Sequence, residues 1–194
     1  MFLNGRKKNN MENKIILGLA GEMAAGKSTV TEYLKEKHNA VTFRFSDMLR
    51  DILKRIHVEP ERANLQSLST FVRQTYGEDI MSKVIAQDVA ASNASIIITE
   101  GIRRPSDIVY LRKLESFHMI AINTNERTRF ERIIQRHENP DDAQKTWEEF
   151  QAEGQQESEQ KIKEIAAETD FTIDNNGTKE ELFAQIEEII KKIN

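Results

Sequence analysis

Residues 21–29 read GEMAAGKST and fit the pattern G-x-x-x-x-G-K-[ST] without a mismatch. The apolar run 15–20 before this stretch is typical of a buried strand, and residues 28–37 after it carry apolar side chains at helical spacing. A strand, a glycine-bounded loop and a helix N-terminus form an anion-binding cradle, because backbone N–H groups and the positive end of the helix dipole converge on one point. We therefore predict a phosphate-binding loop, in which Lys27 reaches the β- and γ-phosphates of a nucleotide and the Ser28 hydroxyl ligates Mg²⁺.

The length, charge and cysteine content of the chain limit the kinds of protein that it can be. The chain has 194 residues, a formal net charge of -4 and no cysteine, and this length suits one globular domain. The acidic balance argues against a protein that coats nucleic acid, and the lack of cysteine excludes disulfides and fits a cytoplasmic location. No apolar run approaches the length of a membrane span, about 18 residues. The polar residues 1–13 lack the apolar core of a secretory signal, so we expect a flexible leader before the domain over residues 14–194.

Strand-like apolar runs alternate with helical stretches along the domain. This alternation predicts an α/β protein of the three-layer αβα P-loop NTPase class, with a five-stranded parallel sheet and a short helical lid. The expected strands cover residues 15–20, 40–45, 95–99, 119–122 and 171–173. The expected helices cover residues 28–37, 47–56, 63–76, 80–91, 105–114, 127–136, 146–167 and 179–193.

Polar residues follow the second and third expected strands. Asp47 and Arg50 come after the second strand, while Glu100 and Arg103 come after the third. In such sheets, ligands bind at the carboxyl ends of the strands. An acid at the end of a buried strand is a poor core residue, and beside a phosphate-binding loop Glu100 is suited to holding the hydration shell of Mg²⁺. Asp47 also has a simpler explanation, the capping of the helix that follows it.

Arginines recur in the expected helix over residues 127–136. The spacing of Arg129, Arg132 and Arg136 puts three guanidinium groups along one helical face. Most charged residues of such helices simply face solvent. This face, which follows a strand end in a phosphate-binding fold, is nevertheless a candidate anion clamp.

Three further segments resemble adenylate kinases. Residues 45–50 (FSDMLR), 100–104 (EGIRR) and 131–136 (ERIIQR) resemble their T-G-D-[ML]-L-R, D-G-F-P-R and D-R-I-x-x-R segments. With the P-loop, these segments stand in the same order over about two thirds of the chain. A closer resemblance is to the small adenylate-kinase-related proteins of archaea, and the dephospho-coenzyme A kinases share the general layout. The segments that carry the archaeal resemblance are residues 73–77 (RQTYG), 146–150 (TWEEF) and 175–182 (NNGTKEEL).

The resemblance implies an ATP- and Mg²⁺-dependent kinase that acts on a small phosphorylated acceptor, with a nucleoside or deoxynucleoside monophosphate favoured. It implies acceptor-binding helices over about 46–92 and a lid with its following helix over about 127–168. The implied ATP-binding residues are Gly21, Ala24, Ala25, Gly26, Lys27, Ser28, Thr29, Arg132, Asn175 and Gly177. The implied acceptor-binding residues are Asp47, Arg50, Arg73, Arg103 and Arg104. The implied catalytic residues are Lys27, Arg103, Arg132 and Arg136, and the implied metal-binding residues are Ser28 and Glu100.

Individual roles follow from the same resemblance. Arg132 is expected to lie near the adenine, and the turn 175–177 is expected to border that base. Arg136 is expected to neutralise charge on the transferring phosphoryl group. Phosphoryl transfer depends mainly on positioning and on a ring of cations, which agrees with this set. A phosphate acceptor brings its nucleophilic oxygen already ionised and needs no catalytic base.

Two departures from the adenylate kinase pattern leave alternatives open. Residues 153–159 read EGQQESE and contain no lid arginine, and Phe45 replaces a threonine at a position expected to contact the base. One alternative is a dephospho-coenzyme A kinase, whose hydroxyl acceptor needs a base, and Asp47 is the candidate. Another is an ATP-binding or ATP-hydrolysing switch or assembly factor without a small-molecule acceptor. We expect a monomer or homodimer with no nucleic-acid or membrane partner.

Overall fold

The computed structural model describes residues 14–136, 142–155 and 157–193, so the expected leader lies outside the described residues. Its strands form one five-stranded sheet in the order β2-β3-β1-β4-β5, which confirms the predicted α/β class with a parallel sheet. The strands are β1 (Ile15–Ala20), β2 (Val41–Arg44), β3 (Ile96–Glu100), β4 (Phe117–Asn123) and β5 (Phe171–Asp174).

Six of the eight predicted helices are present as single helices at about the predicted positions. The helices of the structure are α1 (Lys27–His38), α2 (Phe45–Arg55), α3 (Arg62–Tyr76), α4 (Ile80–Ala91), α5 (Glu126–Arg136), α6 (Trp147–Gly154), α7 (Glu157–Ala167) and α8 (Lys179–Ile193). Among the helices described, none has the length and apolar character that crossing a membrane requires.

The prediction of a helix over residues 105–114 is wrong. The chain forms two 3₁₀ turns there, Pro105–Asp107 and Leu111–Lys113. The Asp107 carboxylate accepts hydrogen bonds from the backbone N–H groups of Arg103 and Arg104, at 2.9 and 3.0 Å. The Tyr110 N–H donates to the Ser82 hydroxyl at 3.0 Å, not to a carbonyl one helical turn earlier. The Asp107 bonds cap the first turn, and the Ser82 side chain takes a backbone N–H that an α-helix over these residues would bond internally.

The predicted helix over residues 146–167 is two helices, α6 and α7. Thr146 and Glu149 form a reciprocal capping box at the start of α6, with bonds of 2.8 and 3.2 Å. The helix ends at Gly154, a residue type with low helix propensity. The Gly154 carbonyl accepts a hydrogen bond from the Gln160 side chain at 2.9 Å.

Residue contacts divide the chain into two compact units. Among the described residues, the first unit comprises 14–18 and 39–118, and the second comprises 19–38 and those from 119 to 193. Fully buried residues in the first unit include Ile97 and Ile98 of β3, and in the second they include Ile122 of β4 and Ile133 of α5. Branched apolar side chains on strands buried on both faces are typical of parallel sheets.

Candidate nucleotide-binding site

The loop over residues 21–29 lies in the second unit, between β1 and α1. Its backbone takes positive φ at Ala24 (58°) and at Gly26 (+103°). A Cβ on Gly26 would also collide with the Asn175 side-chain nitrogen, so this glycine is required both by conformation and by space. Ala25 is buried, and Gly21 begins the loop directly after β1.

Helix α1 begins at Lys27 with no acidic residue in its first turn. The first N–H groups of a helix have no partner within it, and they carry the positive end of its dipole. The Ser28 side chain is exposed and that of Thr29 is half-buried. This start of α1 therefore provides the positive potential and donors that a phosphate requires.

The Lys27 side chain folds over its own loop. Its Nζ donates to the carbonyl oxygens of Gly21 at 2.5 Å and of Glu22 at 2.9 Å. The lysine charge is thus held at the loop rather than extended into solvent.

A second group of contacts converges on the Ala25 carbonyl. It accepts hydrogen bonds from Asn175 Nδ2 at 2.8 Å and from Thr124 Oγ1 at 2.9 Å. The Asn175 carbonyl in turn accepts from Arg132 Nη2 at 2.9 Å, and burial lowers the pKa of the Arg132 guanidinium. Arg132 and Asn175 are thus joined to the loop, whereas the predicted Gly177 lies exposed in the turn before α8.

The sequence prediction missed Thr124. This residue directly follows β4, and the rule that ligands gather at the carboxyl ends of parallel strands would have indicated it.

Two of the three arginines expected along one face of α5 have different partners. Arg129 is buried and pairs with the Glu22 carboxylate at 3.0 Å, while Arg132 contacts Asn175. The side chain of Arg136 lies outside what the structure describes.

In the first unit, Glu100 ends β3 in register with Arg44 of β2. Arg44 Nε donates to Glu100 Oε2 at 2.8 Å, and this bond and the carboxylate charge raise the pKa of Arg44. The Asp47 carboxylate accepts from the Arg44 N–H at 2.9 Å, so it caps α2. Arg44 was missed because its role depends on strand register, which the sequence pattern does not report.

The predicted acceptor arginines differ in their partners. Within the described residues, the exposed side chains of Arg50 and Arg103 have no hydrogen-bond or ion-pair partner. Arg104 forms an exposed pair with Glu78 at 3.2 Å.

Arg73, one of the predicted acceptor-binding residues, is buried. Its guanidinium is buried and pairs with Asp107 at 2.6 Å, with side-chain exposures of 6% and 2%. Because Asp107 also accepts from the N–H groups of Arg103 and Arg104, the buried pair anchors the loop that carries them. This geometry gives Arg73 a structural role, while its contact with the acceptor stays a prediction.

Known proteins match nearly the whole chain. The AAA domain family matches residues 17–170. A UPF0200 protein of Hyperthermus butylicus is 26% identical over 181 residues, covering 93% of this chain and 96% of the relative. A UPF0200 protein of Methanococcus maripaludis is 28% identical over 182 residues, covering 92% and 97%.

Solved structures share the fold. A shikimate kinase from Bacteroides thetaiotaomicron superposes with a TM-score of 0.60 at 14% identity, covering 92% of this chain and 98% of that structure. The protein TT1252 from Thermus thermophilus superposes with a TM-score of 0.59 at 14% identity, covering 94% and 100%. The protein therefore has a three-layer α/β fold of the P-loop kinase type.

Proposed function

This chain belongs to the AAA domain family, and we propose that it is an ATP- and Mg²⁺-dependent phosphotransferase. The proposed acceptor is a small phosphorylated molecule, a nucleoside or deoxynucleoside monophosphate. The observation that carries the proposal is the loop itself, where Lys27 lies over the backbone at the start of α1. This arrangement suits the phosphates of a nucleoside triphosphate.

The acceptor proposal rests on the cations of the first unit. Arg50 and Arg103 are exposed and lack partners among the described residues. A guanidinium in that state is suited to a bidentate contact with phosphate. The carboxylate of Asp47, the candidate base for a hydroxyl acceptor, is engaged with the Arg44 N–H. This engagement favours a phosphorylated acceptor over dephospho-coenzyme A.

The resemblance to adenylate kinases supports the remaining roles. We assign Arg132 to the neighbourhood of the adenine, and its contact with the Asn175 carbonyl agrees with that place. We assign Arg136 to charge on the transferring phosphoryl group, where a cation acts mainly in the transition state.

Mg²⁺ prefers hard oxygen ligands and keeps part of its water shell, and two predicted side chains, each taken by itself, offer such an oxygen. Ser28 offers an exposed hydroxyl in the first turn of α1. Glu100 offers a half-buried carboxylate, one oxygen of which accepts from Arg44. Bound Mg²⁺ would neutralise phosphate charge during transfer. We propose that Ser28 ligates the ion and that Glu100 holds its waters.

Glu100→Gln should raise the Mg²⁺ concentration needed for half-maximal rate by about ten- to a hundredfold, as losses around metal ligands do. The affinity for the nucleotide alone should change little. Arg44→Met is the matched control, because it removes the same ion pair but keeps the carboxylate. An equal shift of the Mg²⁺ dependence in both variants would reduce Glu100 to an ion-pair partner of Arg44.

Arg50→Ala and Arg103→Ala should each raise the KM for the acceptor by about ten- to a hundredfold, because a charge-assisted contact contributes about 1.5–3 kcal/mol. Arg104→Ala, which breaks an exposed pair, should have a much smaller effect. Steady-state rates with varied acceptor at saturating ATP measure this. A wild-type KM in both Arg50→Ala and Arg103→Ala would argue against a phosphate site at these two arginines.

A panel of acceptors tests the proposed function. Purified protein with ATP and Mg²⁺ is offered nucleoside and deoxynucleoside monophosphates and dephospho-coenzyme A, and phosphorylated products are separated and quantified. Turnover of a monophosphate is expected. The second candidate is a nucleotide-hydrolysing switch, which the arginine-free residues 153–159 favour. It would release inorganic phosphate without phosphorylating any acceptor.

A further inference from the structure

An aromatic cluster joins α5 to α6 in the second unit. Ring centroids of Phe130 and Trp147 are 5.3 Å apart, and Phe150 lies 5.6 Å from each of them. Met23 and Ala24 of the phosphate-binding loop pack against Phe130, Phe150 and the neighbouring Ile133. The first half of the loop therefore rests on a hydrophobic base that includes α6.

Arg129 is a buried charged residue that lies beside the same aromatic cluster. It is 6% exposed, and its guanidinium donates to Glu22 Oε1 at 3.0 Å, to the Met23 carbonyl at 3.4 Å and to the Thr124 carbonyl at 3.3 Å. Its Cζ lies 5.3 Å from the centre of the Phe150 ring. One buried cation thus contacts the loop, the end of β4 and α6.

Hydrogen bonds through Glu22 connect Arg129 to Lys27. The side chain of Glu22 accepts from Arg129, and the Glu22 carbonyl accepts from Lys27 Nζ at 2.9 Å. Movement of Glu22 would therefore move an acceptor that holds the lysine. A planar guanidinium donates from three separate nitrogen atoms in a fixed fork, whereas the donors of an ammonium all sit on one nitrogen atom.

We propose that Arg129 is a positioning residue, which acts through Glu22 to hold Lys27 in place and which couples the loop to α6. The proposal rests on the proposed function in one respect, that the loop binds ATP. Arg129 lies outside the nucleotide-binding motif and reaches it from α5, so the motif pattern assigns it no such role. The coupling extends to Trp147, which packs against the same buried residues as Met23 and Ala24, namely Phe130, Ile133 and Phe150.

The test compares Arg129→Met and Glu22→Gln with Lys145→Met. Lys145 forms a buried pair with Glu153 at 2.8 Å, with exposures of 7% and 32%, so its variant removes an ion pair of the same unit with no contact to the loop among those described. Calorimetry gives the Kd for ATP, and thermal unfolding gives the Tm. Arg129→Met should raise the Kd by about tenfold or more, because charge-assisted bonds are strong. Lys145→Met should lower the Tm and leave the Kd unchanged.

Two further readouts separate positioning from simple stability. The Glu22→Gln/Arg129→Met double variant should bind ATP no more weakly than Arg129→Met, because both changes remove one interaction. Trp147 is the single tryptophan of the chain, and its fluorescence should respond to ATP in the wild type and respond less in Arg129→Met. Arg129→Lys should recover only part of the affinity. Should Arg129→Met fail to fold, Glu22→Gln, which keeps the side-chain shape, provides the same test.

The outcomes are distinct. A wild-type protein that binds no ATP overturns the proposed function, and this inference with it. Wild-type binding with an unchanged Kd in folded Arg129→Met and Glu22→Gln overturns the inference alone. An equal rise of the Kd in Lys145→Met also overturns it, because the effect would then follow from general loss of stability.

Discussion

Lys27→Ala is expected to lower the rate of phosphoryl transfer by about a hundredfold or more, the loss that follows from removing a preorganised electrostatic contact. The Lys27 ammonium already lies over the loop, bonded to the Gly21 and Glu22 carbonyls. In the proposed reaction it provides a fixed positive charge beside the β- and γ-phosphates, where negative charge redistributes during transfer. The side chain is only half-buried, so its loss should cost little core packing. Steady-state rates with circular dichroism of the same sample measure the effect.

Lys35→Ala is the matched control. Lys35 is exposed in the last turn of the same helix, so its loss changes the net charge equally but far from the loop. Wild-type turnover is expected for this variant. Near-normal turnover in folded Lys27→Ala would contradict the assignment of the loop as the site of transfer.

Breaking the Arg73–Asp107 pair should have the largest effect on stability. Arg73→Met leaves the Asp107 carboxylate buried without its cation, and loss of one partner of a buried pair typically costs about 3–5 kcal/mol of unfolding free energy. Asp107→Ala should cost at least as much, because it also removes the acceptor of the Arg103 and Arg104 N–H groups. Urea unfolding measures these free energies of unfolding. The comparison requires that the slope of the free energy against urea concentration is the same in the variants and the wild type.

Arg104→Ala provides the comparison for that prediction. Its pair with Glu78 is exposed on both sides, and surface pairs contribute about 0–1 kcal/mol. A loss in Arg73→Met as small as that in Arg104→Ala would show that the buried pair does not stabilise the loop. The acceptor site could then not depend on Arg73 for its shape.

Local patterns predicted those elements whose ends are marked in the sequence. The expected bounds of β1, α4 and α8 agree with the structure, because apolar periodicity and adjacent turn residues define them without reference to other segments. The loop over residues 21–29 was predictable for the same reason. The prediction of a helix over residues 105–114 failed because the Ser82 hydroxyl, from α4, binds the Tyr110 N–H, and propensity does not report such competition.

The partners of charged residues could not be predicted locally. Arg129 and Glu22 are separated by 107 positions, and Arg44 and Glu100 by 56. Sequence spacing places three arginines on one face of α5. Which of them contacts the phosphate-binding loop depends on how that helix packs, and the spacing does not report this. Thus the motif identified the loop, whereas the residues that hold it became apparent only from tertiary structure.

The reverse reaction is the sharpest test of phosphoryl transfer between nucleotides. Such transfer breaks one phosphoanhydride and forms another, so a nucleoside monophosphate kinase should run readily in both directions. Protein supplied with ADP, the diphosphate of the accepted nucleoside and Mg²⁺ should form ATP, at a rate that Lys27→Ala abolishes. If ATP is hydrolysed in the forward direction while no ATP forms from the two diphosphates, the protein does not transfer phosphoryl groups between nucleotides, and the proposed function is wrong.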